Sequence, residues 1–215
     1  MFVLTIDQQG SRTRGDRVPD LLSTLAAHPV LKRSGLVRPF ERTVGDEVQA
    51  VADTSGVVLE IVLDVLRWGG WSVGIGAGSV ELPLPESTRA GAGQAFVLAR
   101  DAVEVAKSRQ RAVPLAVRGP NPDRAQEAES LLVLLAALRG RRTDAGWAVV
   151  DAMRAGGSAT RQEQLAAHLG ISQQAVSQRL RTALWSEEQA ALPLAARLLD
   201  EADTVGHDGP AHAES

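Results

Sequence analysis

The chain has 215 residues, 44% of them hydrophobic and 23% charged, with a formal net charge of −3 and no cysteine. That length suits one large domain or two small ones, and the composition excludes a wholly disordered or fibrous protein. The missing cysteines exclude disulfides, thiolate metal sites, iron–sulfur clusters and cysteine nucleophiles.

From the start, Met1 to Asp7 turns polar too early for a signal peptide, and no stretch approaches the roughly 18 apolar residues of a membrane helix. A cytoplasmic protein without a membrane partner is expected. Phe2 to Ile6 predicts a strand and Pro19 to Ala27 a helix with leucines at helical spacing. Phe40 to Val44 and Val48 to Ala52, split by the turn-forming Gly45-Asp46-Glu47, predict a hairpin. Val57 to Leu66 predicts a mostly buried helix, Trp71 to Ala77 a strand, Gly91 to Arg109 a long helix and Pro114 to Val117 a further strand. Gly74-x-Gly76-x-Gly78 fits neither a dinucleotide fingerprint nor a Walker loop and reads as a tight turn. The order over residues 1–118 is β-α-β-β-α-β-α-β.

Gly119-Pro-Asn-Pro-Asp123 cannot continue a helix or a central strand, so 119–123 reads as a linker. Beyond it only helices are predicted: Arg124 to Leu138, Thr143 to Ala155, Arg161 to Leu169, Ser172 to Leu184 and Glu187 to Ala202. A helical domain over 124–204 and a flexible polar tail over 205–215 follow. Charge divides along this half: Arg139 to Trp185 holds seven arginines against Asp144, Asp151 and Glu163, a surplus of four, whereas Ser186 to Ser215 has a deficit of six. A local positive block is the minimum requirement for a phosphate-binding surface.

Gln162 to Arg181 reads QEQLAAHLGISQQAVSQRLR. Two helices joined by a sharp turn pack closely when the first offers a small residue, the turn tolerates positive φ and the second offers a branched apolar contact. Ala166, Gly170 and Val176 fall at those places. Thr160 with Glu163 makes a capping box, and Ser172 is a natural N-cap. The pattern over 161–184 resembles the helix-turn-helix of bacterial transcription regulators. That resemblance implies a DNA partner met by Ser172, Gln173, Gln174, Ser177, Gln178, Arg179 and Arg181, since Gln pairs with adenine and Arg with guanine or phosphate. A helical hairpin used for dimerisation or simple packing is the other reading of the same residues.

Near the amino terminus, Asp7 ends the first strand and Asp46 lies in the hairpin turn, so neighbouring strands would bring two carboxylates to one end of the sheet. Such a pair repels, by about 4 kcal/mol at 4 Å and an effective dielectric near 20, and wants a cation. Mg²⁺ or Mn²⁺ with a nucleotide fits, with Asp7 and Asp46 as metal ligands and Gly10, Ser11, Arg42 and Glu47 completing a candidate nucleotide site. Solvent-facing strand ends are the alternative.

Asp7-x-x-Gly10, Arg42-x-x-Gly45-Asp46-Glu47, Val73-Gly-Ile-Gly-Ala-Gly-Ser-Val80 and Gly93-x-Ala-Phe-x-x-Ala99, with the order of elements, resemble the palm-like domain of class III nucleotide cyclases and GGDEF diguanylate cyclases. The whole chain is similar to the SatD-like family of bacterial proteins, in which such a region precedes a helix-turn-helix. The resemblance implies an α+β fold: a ferredoxin-like, nucleotide-cyclase-like sheet with helices, followed by an all-helical domain. It also implies that the two aspartates hold metal ions and that the protein pairs as a homodimer. Val97 and Asp101 stand where the cyclases place an asparagine and an arginine, and Val44 replaces the first glycine of the diguanylate motif. A DNA-binding regulator whose degenerate cyclase-like half dimerises or senses a nucleotide or metal is therefore expected, without catalysis. The rivals are an active divalent-metal nucleotidyl cyclase and a helix-turn-helix adaptor for protein contacts.

Overall fold

The structure is a computed structural model that describes residues 1–33, 35–156 and 162–204. It is α+β: a five-stranded mixed sheet with, among the described residues, ten α-helices and one 3-10 turn. The expected tail at 205–215 and the expected cap at Thr160 lie outside the described residues. No helix among the described residues is long and apolar enough to cross a membrane. The chain forms two compact units, Met1–Val133 with Ala195–Ser215, and Leu134–Leu194.

In the first unit the strands are β1 (Phe2–Gln8), β2 (Arg38–Arg42), β3 (Glu47–Ala52), β4 (Trp71–Ala77) and β5 (Leu115–Arg118), in the spatial order β2-β3-β1-β4-β5. Apolar, β-branched runs make β1 and β4 the buried centre, antiparallel to each other, while β4 and β5 run parallel. Between them come α1 (Ser11–Arg14), α2 (Val18–Ala26), α3 (Pro29–Arg33), α4 (Ser55–Trp68) and α5 (Gln94–Ala106). The order of strands and longer helices is the one read from the sequence.

Strand alternation assigns the two faces of the sheet. Val3 lies opposite Val51 and Gly76, and these positions pack on α5 through Ala95, Phe96 and Ala99. Two steps further along the same face come Thr5, Gln49 and Gly74, and then Asp7, Glu47 and Ser72. The opposite face presents Leu4, Ile6, Val48, Ala50, Val73 and Ile75, all buried.

Gly74 and Gly76 correct the expectation of a tight turn. Both lie inside β4, and a Cβ on Gly76 would stand 2.1 Å from the Ala95 carbonyl and 2.3 Å from the Ala99 nitrogen. On Gly74 it would stand 2.3 Å from the Val103 nitrogen. Strand and helix backbones touch there because neither carries bulk: α5 turns Ala95, Ala99, Ala102 and Ala106 inward.

The breaker at 119–123 ends β5, and Pro122 opens α6 (Pro122–Gly140), as proline is suited to the first turn of a helix. Glu129 of α6 is buried and accepts from the Val117 N–H at 3.0 Å, with Arg111 at 2.5 Å and Arg118 at 3.1 Å supplying its charge partners. The end of α10 (Trp185–Ala202) belongs to this unit: Gly119 lies against the Ala202 carbonyl, Arg124 pairs with Glu201 at 3.1 Å, and the Met1 ammonium pairs with Asp203.

The second unit holds α7 (Asp144–Gly156), α8 (Gln162–Leu169) and α9 (Gln173–Thr182), with the adjoining parts of α6 and α10. Its core is Val149, Val150, Leu165, Ala166, Val176, Leu180 and Ala183.

Candidate functional site

Asp7, one residue before the end of β1, lies on the α5 face, and Lys107, just past the end of α5, reaches its carboxylate at 3.0 Å and that of Glu104 at 2.7 Å. Burial raises the pKa of Asp7 above its ordinary 3.8; Lys107 opposes the shift, and the negative charges of Asp46 and Glu47 add to it. Burial disfavours the Lys107 ammonium too, but its two carboxylates outweigh that and raise its pKa. One ion pair thus leaves Asp7 under-compensated and Lys107 over-compensated, because the lysine has two partners and the aspartate one. The cleft here, about 540 Å³, is lined by Asp7, Gln9, Gly10, Ser72, Lys107 and Arg109 among others.

Ser11, Arg42 and Asp46 line a separate depression of about 440 Å³. Arg42 is tied down there: it pairs with Asp16 at 2.9 Å and donates to the Gly45 carbonyl at 2.6 Å. Glu47 accepts from the Thr43 hydroxyl at 2.6 Å. Gly10, at φ +70°, starts α1 by accepting from the Thr13 and Arg14 amides. Asp7 and Asp46 are therefore within electrostatic reach of each other yet line different hollows, and the cation at Asp7 is Lys107. Among the described residues no group of three or more His, Cys, Asp or Glu side chains is placed to hold a metal. Val97 and Asp101 are exposed on α5.

In the second unit, α8 ends at Gly170, whose φ of +63° lets the Ile171 N–H turn back to the Ala166 carbonyl at 3.0 Å. Ser172 then caps α9, accepting from the Ala175 N–H at 3.1 Å. Val176 and Leu180 go into the core, which leaves Gln173, Gln174, Gln178 and Arg181 exposed and Ser177 and Arg179 half-buried. Ser177 donates to Gln162 at 2.6 Å, and Arg181 donates to Gln178 at 3.2 Å. All seven residues expected to meet DNA thus fall on α9 or its cap, and Gln173, Gln174, Gln178 and Arg181 form the open side of the helix.

The chain matches no family model, no curated protein and no solved structure.

Sequence reading missed one cluster. Glu188 at the start of α10 is fully buried and takes Arg139 at 2.6 Å and also Arg142. Arg142 lies over the Trp147 ring, 4.9 Å from its centroid. Its trace in the sequence is the Arg139-Gly-Arg-Arg142 run, which a charge count registers only as bulk. Lys107, one of two lysines in the chain, was missed for lack of any spacing rule to pair it with Asp7.

Proposed function

We propose that this protein is a cytoplasmic DNA-binding transcription regulator of the SatD-like kind. In this reading α7, α8 and α9 form a helix-turn-helix unit, α9 enters the major groove, and the ferredoxin-like, cyclase-like first unit dimerises or senses a nucleotide. The observation that carries the proposal is the outer face of α9, where Gln173, Gln174, Gln178 and Arg181 are exposed while Ala166, Val176 and Leu180 hold the corner. Helices so joined present one polar face by construction, and this one carries glutamine and arginine, side chains suited to base edges and phosphates.

Catalysis is not part of the proposal. Asp7 already has an ammonium against it, Asp46 faces another hollow, and Val97 and Asp101 offer a triphosphate no cation. The residues present do not fit a two-aspartate metal site.

The test is fluorescence anisotropy with duplexes drawn from bacterial promoter DNA over a range of salt. Binding should weaken steeply as salt rises, and Arg181→Ala should reduce the slope of log affinity against log salt by about 0.9, the share of one phosphate contact. Absence of binding even at low salt, with the chain folded by circular dichroism, would overturn the regulator reading.

A further inference from the structure

We infer that the cleft at the end of β1 binds a free aliphatic α-amino acid, with its ammonium on Asp7 and Gln9 and its carboxylate on Arg109. The cleft, about 540 Å³, is within the range of small-molecule sites and belongs wholly to the first unit. Lys107 takes only Oδ2 of Asp7; Oδ1 has no partner among the described residues, although the side chain is just 16% exposed. Gln9, also on the lining, turns its amide nitrogen to the Ser72 hydroxyl at 3.1 Å and to the Trp71 carbonyl at 3.4 Å. A carbonyl can only accept, so that amide has one orientation, and Gln9 Oε1 is left as an acceptor without a partner among the described residues.

The charges around Asp7 say which sign these acceptors want. Lys107 is shared by Asp7 and Glu104, so the three groups leave one negative charge over. Burial, with the added negative charges of Asp46 and Glu47, holds the Asp7 pKa above its ordinary value. A half-buried carboxylate with a free oxygen in a negative field is stabilised by a second cation. A divalent metal is a poor match, since it needs several oxygen ligands and the Lys107 ammonium already stands against this carboxylate. An ammonium is a point charge with three N–H donors, and Asp7 Oδ1, Gln9 Oε1 and a water are enough to meet it.

Arg109 supplies the opposite charge. It lines the same cleft, and among the described residues no carboxylate meets its guanidinium. Arg111 lines the cleft too but is committed to Glu129 at 2.5 Å and to the Leu115 carbonyl at 2.6 Å. One unmatched carboxylate oxygen and one unmatched guanidinium on a single cleft suit a ligand that carries both charges, as an α-amino acid does. Ala106, Ala112 and Pro114 make the apolar part of the lining, against which an aliphatic side chain can lie.

The probes are L-leucine, isoamylamine, which lacks the carboxylate, and isocaproate, which lacks the ammonium. Each is added to the full chain at equal ionic strength, and thermal unfolding is followed at pH 7. Leucine should raise the midpoint, and the affinity drawn from its concentration dependence should exceed that of either half-probe by about tenfold. Asp7→Asn and Arg109→Ala should each weaken leucine by about tenfold, the loss of one charge-assisted contact. Leucine affinity should also fade as pH falls through the folded Asp7 value, where the carboxyl takes its proton. Equal affinities for leucine and isoamylamine would overturn the amino acid in favour of a simple amine. No leucine shift, or one that survives both substitutions, would overturn the site. An ATP shift that Asp7→Asn removes, without a leucine shift, would overturn the inference and leave nucleotide sensing in place. The DNA-binding test concerns α9 alone, so failure of either proposal leaves the other standing.

Discussion

Asp7 shows how one residue can be legible as chemistry and illegible as geometry. The sequence marks it as a carboxylate ending a strand, but its partner Lys107 lies a hundred residues on, and only packing of α5 across the sheet brings them to 3.0 Å. Burial leaves the folded pKa above 3.8, so the folded chain holds this proton more tightly than the unfolded chain does. Stability therefore falls as pH climbs from 3.8 through the folded value, and above it the ionised carboxylate is a net burden. Asp7→Asn should raise the melting midpoint at pH 7, with the gain closing as pH drops into the carboxylate range. A lower midpoint at pH 7 would show that Lys107 outweighs burial. Glu41 runs the other way. Burial opposes its charge, but donors from Ser87, Thr88 and the Arg89 N–H outweigh that and lower its pKa below 4.5. Its contribution is present above 4.5 and is lost as pH falls through the folded value, so Glu41→Gln should flatten the acid side of the stability profile.

At the scale of elements, the long helices and the strands were readable because their signals are local: period, caps and breakers. Trp71–Ala77 coincides with its expected strand, and the hairpin turn lies at Gly45. The short helices α1 and α3 and the 3-10 turn at Thr88–Ala90 were not readable, since three to five residues have no period to detect. The glycines of β4 were misread for a different reason: a glycine that opens a turn and one that admits a helix look alike until the helix is placed. Two substitutions separate these roles. Gly170→Ala meets open space and suffers only its positive φ, about 1–2 kcal/mol. Gly76→Ala drives a carbon into α5 backbone, which overpacking places at about 3 kcal/mol or more. Thermal or urea unfolding should rank Gly76→Ala as the more damaging; the opposite ranking would mean that α5 can withdraw from the sheet at little cost.

For the whole molecule, a modest net charge conceals a division that the sequence did expose. The arginine surplus between Arg139 and Trp185 falls largely within the second unit, and the acids beyond it end on α10, whose Glu188 turns back to neutralise part of that surplus. The return of α10 to the first unit was not readable, because contacts such as Met1 with Asp203 span the whole chain and leave no local trace. If the protein pairs as a two-fold regulator, its readers should meet half-sites about 34 Å apart. Sedimentation with a palindromic duplex should then give two protomers per duplex, and one per duplex would remove the dimer from the proposal.

Where β4 and α5 touch at Gly74 and Gly76, no side chain stands between them to change rotamer and absorb a displacement. The two backbones are in direct contact, and Lys107 sits at the end of the helical arm, over the cleft beside Asp7. Any side chain placed at Gly74 or Gly76 would push that arm outward and shift the point from which Lys107 reaches Asp7.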